Sequence, residues 1–410
     1  MRRIAWVLLL IFAFAIPWEY SLELGEPLGN IARVVGLLLL LVAIPAVFQA
    51  GRLRTPGPML WLVLALYLWF CCTCFWTIEP LATLTKLRGY FQEMMIVWLV
   101  WEFAENADDL RALMRAYIAG SWVLAALTLA NYVSADAMTN QQVRYAATGQ
   151  DPNDVARFLN LAFPLAALLV NSERKWPWRL MAAGYFPLGL VAVLLTASRG
   201  GFLEVMVALA GSAILLGYGH PKRVWAGALA LPPLAALIWW IVPRGSFERL
   251  ATINEQLQGG GLNLRWNIWT AGWHAFVKAP LFGTGAGSFV SAAGLSPIDT
   301  AHNTALSIAI SGGLVALFLA MAIVAVAIWS LIQTKGPLRW AMALTLVIWG
   351  ITSMVATVEE NRTSWLLLAM IALAGRLAVE EPEGLEECFP AAVPLMELRK
   401  SKGQFDRLTG

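Results

Sequence analysis

Charged residues are scarce in this chain of 410 residues, of which only 13% are Asp, Glu, Lys or Arg. Hydrophobic residues make up 59%, and the mean hydropathy is +0.66. These values lie far outside the range of soluble domains of this size. The chain also has no long basic tract, which argues against a nucleic-acid partner. The composition instead predicts an all-α, polytopic membrane protein.

The chain also lacks the residue patterns that hold metals and nucleotides. Cys71, Cys72 and Cys74 crowd one predicted helical turn, where they cannot pair with one another or enclose a metal. No Asp-x-Asp or His-x-x-x-His pair of metal-ligand type occurs in the polar segments. The glycine-rich stretch at 281–289 follows no predicted strand, which argues against a nucleotide-binding loop. We therefore expect no metal and no cofactor.

Apolar runs recur along nearly the whole chain, and each is long enough, or nearly so, to cross a hydrocarbon core that takes about 20 helical residues. They predict about twelve membrane spans in a single integral membrane domain over residues 1–410. The predicted spans are 4–18, 31–49, 58–76, 88–103, 111–133, 155–171, 180–197, 201–218, 224–243, 303–330, 340–357 and 364–379.

Lysine and arginine are concentrated in alternate connections, which orients the spans because cytoplasmic loops are enriched in these residues. If Arg2 and Arg3 are cytoplasmic, an even number of spans leaves both ends of the chain there, with a cytoplasmic tail at 380–410. The same side then carries Arg52, Arg54, Arg111, Arg115, Arg174, Lys175, Arg179, Lys222, Arg223, Lys335, Arg339 and the basic residues of the tail.

The largest polar segment, 244–301, lies between the ninth and tenth predicted spans, on the outward side. Loops of this length in a compact protein are usually functional. Within it, Trp266, Trp269, Trp273 and Phe276 follow one another at spacings of three, four and three. At helical periodicity they fall within an arc of about 80°. This pattern predicts an amphipathic helix that lies along the membrane surface or caps the bundle.

The outward side holds fewer basic residues, but most of them are arginine, whose planar fork suits phosphate oxygens. Arg199 stands in a tight turn with two glycines, and Arg265 borders the aromatic face of the predicted helix. Arg88 opens the fourth span, and Arg157 follows "DPND" at the start of the sixth. Each of them can instead be an interfacial arginine that anchors its helix. Together they favour an anionic lipid headgroup, with a membrane-embedded diphosphate as the natural ligand.

The chain has only three histidines, and His302 stands where the long loop meets the tenth span, beside Asn303 and Thr304. An imidazole with an ordinary pKa of about 6.5 is a plausible base near neutral pH. The positive end of a helix dipole favours its neutral form, which a base needs. A histidine here can equally be an interfacial cap, and the residues alone leave both interpretations open. We expect His220 and His274 to be solvated or packing residues.

Three outward stretches, "TASRGGF", "NLRWNIWTAGWHAFVKAPLFGTGAGSF" and "AHNTALSIAISGGLVALFLA", together resemble the bacterial O-antigen ligases of the WaaL type and the related Wzy polymerases. The resemblance runs from about residue 190 to residue 330, with a looser likeness in "GQDPNDVARFLNLAFPLA" and in the pattern of spans. It implies a multi-pass protein of the bacterial inner membrane whose active site faces the periplasm.

The resemblance implies an inverting, metal-independent glycosyl transfer among membrane lipids. The donor would be undecaprenyl-diphosphate-linked O-antigen, and the acceptor a sugar hydroxyl of the lipid A core oligosaccharide. By motif, His302 matches the family's essential histidine, and Arg199 and Arg265 match its outer arginines, which grip the diphosphate. We also predict Arg88 as part of the diphosphate site, because of its position in the chain and not because of a motif. Asn303 and Arg157 are further candidates, which brings the number of predicted site residues to six.

Two alternative functions remain open at this point. A polymerase would use the same outer site but would transfer to another lipid-linked repeat unit. A transporter or flippase of the lipid-linked sugar would bind at the middle of the membrane, between broken helices with paired ionisable groups. Deep charges are few in this chain, chiefly Glu93 and Glu204, and the arginines crowd one side, which favours the enzyme.

Overall fold

The computed structural model describes residues 1–25, 28–136, 144–217, 221–252, 265–296 and 299–390. His220, part of the predicted outward loop at 244–301 and the final part of the predicted tail, 391–410, lie outside the described residues. The described chain is α-helical and contains no β-strand, which confirms the all-α prediction.

Twelve long helices follow the predicted spans to within four residues at each end, except that the fourth helix begins eight residues earlier. Ten of the helices in the described chain are long and apolar enough to cross a membrane. The fourth carries Lys86, Arg88 and Glu93, and the ninth has a shorter apolar stretch, Leu229–Ile241. The twelve are α1 (Arg2–Ala15), α2 (Ile31–Ala50), α3 (Pro58–Cys72), α4 (Pro80–Phe103), α5 (Ala107–Asp136), α6 (Pro152–Ser172), α7 (Trp176–Leu195), α8 (Arg199–Gly217), α9 (Pro221–Ile241), α13 (Thr304–Gln333), α14 (Gly336–Val355) and α15 (Arg362–Glu380).

The short helices lie in the connections between the long ones. Three of them, α10 (Arg244–Ala251), α11 (Arg265–Lys278) and α12 (Phe289–Ala293), belong to the segment between α9 and α13, and α16 (Pro382–Cys388) follows α15. Two 3-10 helices, Ile16–Ser21 and Thr73–Phe75, extend α1 and α3.

The helices alternate in direction, so the bundle has two distinct ends. We call the end that carries the segment between α9 and α13 the loop face, and the opposite end the N-terminal face. Ion pairs tie the N-terminal face together: Arg2 contacts Glu102 at 2.8 Å, and both Nε and Nη2 of Arg115 contact Glu173, at 2.6 and 2.7 Å. The N-terminal face carries the basic connections that the sequence assigns to one side of the membrane.

Two helices, α6 and α15, form the centre of the bundle. Over the most apolar window of each, 83% of the residues are buried, whereas no other candidate span exceeds 50%. Helix α6 packs against α7, α8 and α14, and α15 packs against α4 and α13. Both begin on the loop face, so their first turns lie where the outward arginines gather.

Helix α13 is broken one third of the way along, at Gly313, where φ is 69° and ψ is −166°. The segment 280–285 lies in the break and supplies the missing backbone hydrogen bonds. The amides of Thr284 and Gly285 donate to the carbonyls of Ile310 and Ser311, at 2.8 and 3.0 Å. The amide of Leu314 donates to the carbonyl of Pro280 at 2.8 Å. The glycine-rich sequence thus serves close backbone contact rather than nucleotide binding.

The amphipathic helix predicted in the long loop is α11, which packs against α12 and α13. The predicted grouping of its four aromatic residues on one face is only partly right. The buried face is made of small and aliphatic residues, Ile268, Gly272 and Ala275. Trp269 and Phe276 pack at its edge, whereas Trp266 and Trp273 are exposed. Residues 272 and 275 are small because α11 approaches the side chains of α13 closely at Gly272.

We predict that Gly313→Ala destabilises the fold. The combination of φ and ψ at Gly313 is essentially restricted to glycine and costs another residue about 1–3 kcal/mol, and a Cβ there would overlap the Leu281 carbonyl. Thermal unfolding of the purified protein in detergent should show a clearly lower melting temperature for Gly313→Ala. Gly227→Ala is the control, because an added Cβ meets nothing within 4 Å there. Equal melting temperatures for both variants would contradict the backbone-docking interpretation.

Candidate active site

A polar cavity of about 380 Å³ opens on the loop face between the first turns of several helices. It contains three of the six predicted site residues, and the other three lie elsewhere. Its walls come from α6, α8, α11, the residues before α13 and the connection between α14 and α15. The lining residues are Asp151, Asn153, Asp154, Arg157, Ser198, Gly200, Gly201, Glu204, Arg265, Thr300, His302, Val355, Ala356, Thr357 and Asn361.

Helix N-termini converge on this cavity. The first turns of α6 and α8 supply lining residues, and the residues just before α13 and α15 supply His302 and Asn361. Free amide groups give each helix N-terminus a partial positive charge, so the N-termini together favour an anion in the cavity. Arg265, the first described residue of α11, adds a full positive charge.

The backbone holds His302 in an uncommon conformation. Its φ is 46°, in the left-handed region that residues other than glycine rarely adopt. The neighbours on both sides are fixed: the Ala301 carbonyl accepts a hydrogen bond from the indole of Trp269 at 3.1 Å, and the side-chain Nδ2 of Asn303 donates to the Met354 carbonyl at 3.2 Å. Ala197, beside the cavity residue Ser198, is the other non-glycine residue with positive φ among those described. Strained backbone of this kind is concentrated at functional sites.

The His302 imidazole is half-buried, and the described residues offer it no hydrogen-bond partner. Burial lowers its pKa below the ordinary value of 6.5, and the positive charges of Arg265 and Arg157 lower it further. The ring is therefore neutral at neutral pH and can accept a proton. Asn303 does not line the cavity; its side chain caps α13 by accepting from the Leu306 amide at 2.9 Å.

Among the described residues, Arg157 and Arg265 are the two arginines that line the cavity. The Arg157 guanidinium contacts Asp154, and its Nε donates to the Asn153 carbonyl at 3.2 Å. Its Nη1 is buried and has no hydrogen-bond partner among the described residues. An unsatisfied buried donor is costly, and a ligand oxygen would satisfy it. Burial lowers the pKa of Arg265, but an arginine side chain is effectively always protonated in proteins.

Glu204 forms the floor of the cavity, a role that the sequence did not reveal. It is buried in α8, and the Asn160 amide of α6 donates to its Oε2 at 3.2 Å and to the Gly201 carbonyl at 2.9 Å. Asn160 and Glu204 each interrupt an apolar stretch, residues 158–170 of α6 and residues 202–211 of α8. That interruption is the only signal in the sequence, and it does not tell which cavity the pair faces.

The structure places Arg199 beside the cavity but not in its lining. Its Nε donates to the Arg249 carbonyl at 3.2 Å, and its Nη2 donates to the Thr252 hydroxyl at 2.7 Å. In turn, the Arg249 Nε donates to the Ala197 carbonyl at 3.3 Å. Arg199 therefore ties the end of α10 to the turn before α8, whose Ser198 and Gly200 do line the cavity.

Arg88 lies in a second polar cavity of about 530 Å³, separated from the first by the connection 356–361 between α14 and α15. Asn361 lines the first cavity and Arg362 the second. Sequence reasoning grouped Arg88 with Arg199 and Arg265, but the fold puts it among residues of α2, α4 and α15.

An apolar groove of about 470 Å³ runs between α13, α14 and α15. Thr304 and Ala305, just beyond His302, line it near the loop face, and the same connection contributes Val358 and Glu359. The Thr304 hydroxyl donates to the carbonyl of Ala356, which lines the His302 cavity, at 2.8 Å. The groove and the His302 cavity are therefore neighbours across Thr304.

Comparison with known families matches residues 184–321 to a family model described as O-antigen ligase. The matched region includes Arg199, Arg265, His302 and the break in α13, and it confirms the resemblance seen in the sequence. Arg88 and Arg157 precede it. A search of curated proteins found no match.

We predict that the imidazole of His302 titrates below pH 6.5, because burial, Arg265 and Arg157 all disfavour its charged form. Its protonation can be followed by NMR of isotope-labelled histidine in a His220→Gln, His274→Gln background. Arg265→Gln should raise the midpoint, whereas Arg244→Gln, outside the cavity lining, should leave it unchanged. A midpoint at or above 6.5 in the parent protein would contradict this description of the site.

Proposed function

We propose that this protein, whose residues 184–321 match a family model described as O-antigen ligase, transfers O-antigen polysaccharide between two lipids. The donor is undecaprenyl-diphosphate-linked O-antigen, and the acceptor is a sugar hydroxyl of the lipid A core oligosaccharide. One observation carries the proposal: a neutral imidazole, Arg157, Arg265 and several helix N-termini line one cavity. That cavity offers a base and an anion site side by side.

In the proposed reaction, the acceptor hydroxyl attacks the anomeric carbon in line with the bond to the diphosphate. His302 takes the hydroxyl proton as the new glycosidic bond forms. The bond between the anomeric carbon and the phosphate oxygen breaks, and its electron pair stays on the diphosphate. Arg157 and Arg265 stabilise that developing charge, as fixed cations do most effectively where water is excluded. A single displacement inverts the anomeric configuration and needs no metal.

The apolar groove supports a polyprenyl donor. It extends from Thr304 along α13, lined by aliphatic residues such as Ile308, Leu317 and Ile323. An isoprenoid chain in the groove would place its diphosphate at the loop-face end, beside the His302 cavity. The hydrophobic effect of burying the chain would hold the donor while the polar residues align its sugar.

The proposed orientation has the loop face in the periplasm of a bacterial inner membrane. The basic connections of the N-terminal face support it, because cytoplasmic loops are enriched in lysine and arginine. Undecaprenyl-linked polymer and lipid A core would then meet on the side where the cavity opens.

A repeat-unit polymerase would use the same cavity with a different acceptor. Deletion of the gene distinguishes the two activities. Loss of a ligase leaves long polymer on its lipid carrier, whereas loss of a polymerase leaves single repeat units attached to the core.

We predict that His302→Ala lowers transfer by roughly two to four orders of magnitude, the usual contribution of a general base. His302→Asn is a more stringent variant, because asparagine tolerates the left-handed backbone but cannot act as a base at neutral pH. Both should lose activity, measured with purified protein and lipid-linked donor. His274→Ala, an exposed position on α11, is the control. Normal transfer by His302→Asn would remove the imidazole from the mechanism.

We predict that Arg157→Lys and Arg265→Lys each reduce kcat, because a point charge cannot make the bidentate contacts of a guanidinium to a diphosphate. Arg199→Lys should also lower activity, but together with thermal stability, because Arg199 holds α10 through the Arg249 carbonyl and Thr252. Kinetics and melting curves of the three variants separate the two effects. Full turnover by both cavity variants would exclude them from diphosphate stabilisation.

A further inference from the structure

The second cavity on the loop face is larger than the His302 cavity and has no part in the reaction described above. Its walls come from α2, α4, the start of α15 and the segment after α1. The lining residues are Tyr20, Glu23, Gly25, Gly29, Asn30, Arg33, Thr85, Arg88, Gly89, Gln92, Glu93, Glu360 and Arg362.

The cavity has a fixed polar floor. The Arg362 guanidinium contacts the buried carboxylate of Glu19, and its Nη2 donates to Gln92 Oε1 at 2.6 Å. The Asn30 amide donates to the same Glu19 carboxylate at 3.2 Å. This network joins the end of α1 to α2, α4 and α15. The floor is therefore held rigidly before any ligand binds.

Two arginines above this floor are not neutralised. Arg362 is paired with Glu19, and Lys86 is paired with Glu360. In contrast, the described part of the chain places no carboxylate within ion-pair distance of the guanidinium of Arg33 or Arg88. Two guanidinium groups that line the same cavity are suited to binding phosphate oxygens.

The cavity also offers groups for sugar hydroxyls. Glu93 lines it, and its Oε2 is buried without a hydrogen-bond partner among the described residues. Buried polar atoms are nearly always satisfied, so this oxygen points to a ligand donor. Thr85 and Gln92 stand on the same helix. The combination of cations with hydroxyl-binding groups fits a phosphorylated saccharide better than it fits inorganic phosphate.

Lipid-facing side chains flank the cavity. Below Arg33 on α2, Leu37 and Leu41 are exposed, and one turn beyond Arg88 on α4, Phe91 is exposed. Exposed apolar side chains at these places fit a ligand whose saccharide is attached to acyl chains. The cavity shares the connection 356–361 with the His302 cavity, so its ligand is held next to the site of transfer.

We propose that this second cavity, through Arg33, Arg88 and Glu93, binds the phosphorylated saccharide headgroup of the acceptor glycolipid. The identity of this ligand as the acceptor rests on the proposed function. The acceptor is anchored by its phosphates on one side of the connection 356–361, and its outer sugars reach across that connection to His302. The donor diphosphate stays with Arg157 and Arg265, so the two lipids occupy separate cation sites.

Binding and kinetics of Arg33→Gln and Arg88→Gln test the proposal. The probes are phosphorylated lipid A core glycolipid and the same glycolipid after chemical removal of its phosphates, each titrated without donor onto protein in nanodiscs. Each variant should bind the phosphorylated form at least about tenfold more weakly, as expected for a lost charged hydrogen bond. Neither should change binding of the dephosphorylated form. In transfer assays, the KM for acceptor should rise while kcat and the KM for donor stay the same.

Arg52→Gln, an exposed arginine on the N-terminal face, is the matched control and should behave as the parent protein. Equal binding of the phosphorylated form by the parent and both variants overturns the proposal, as does a rise in the KM for donor alone. Phosphate-dependent binding that both variants lose supports the site even if no protein performs transfer. In that case the proposed function fails and the glycolipid site stands.

Discussion

Backbone groups inside a membrane need hydrogen-bond partners from the protein itself, because the hydrocarbon offers none. Helix α13 breaks at Gly313, and the segment 280–285 satisfies the groups that the break exposes. This docking fixes the end of α11 against the bundle. The buried residues Ile268, Phe289, Ala301 and Ile310 then form one small core beneath the loop. Since Ala301 precedes His302, the conformation of the candidate base depends on that core.

Electrostatics and packing act in the same direction at His302. A solvated histidine would be partly protonated near pH 6.5, but burial and the neighbouring arginines keep this one neutral. Those same arginines are suited to a diphosphate, whose negative charge would raise the pKa of the ring again. A bound donor would thus strengthen the base just when a proton has to be taken up. In the proposed mechanism, the residues that bind the donor and the residue that takes the proton are therefore coupled through their charges.

The sequence predicted the long helices well and the site only in part, for physical reasons that particular residues illustrate. A membrane span needs an apolar run, and such runs are local, so the bounds of the twelve helices agree with the structure to within a few residues at most ends. The backbone hydrogen bonds between residues 280–285 and 310–314 join segments far apart in sequence, and neither the periodicity nor the composition of the sequence predicts them. The spacing of the aromatic residues in α11 correctly predicted a helix but not which of its faces is buried. The small residues Gly272 and Ala275 lie on the buried face instead.

The connection 356–361 touches three spaces at once: the His302 cavity, the apolar groove and the cavity of Arg33 and Arg88. In the proposed arrangement, the two lipids lie on opposite sides of this short connection and do not have to enter through the same opening. Each can arrive along its own flank of the bundle and leave by the same route. A spent carrier could then diffuse away while the extended glycolipid, with its bulky polymer, departs on the other side. The paths of the departing carrier and of the departing glycolipid would then not have to cross.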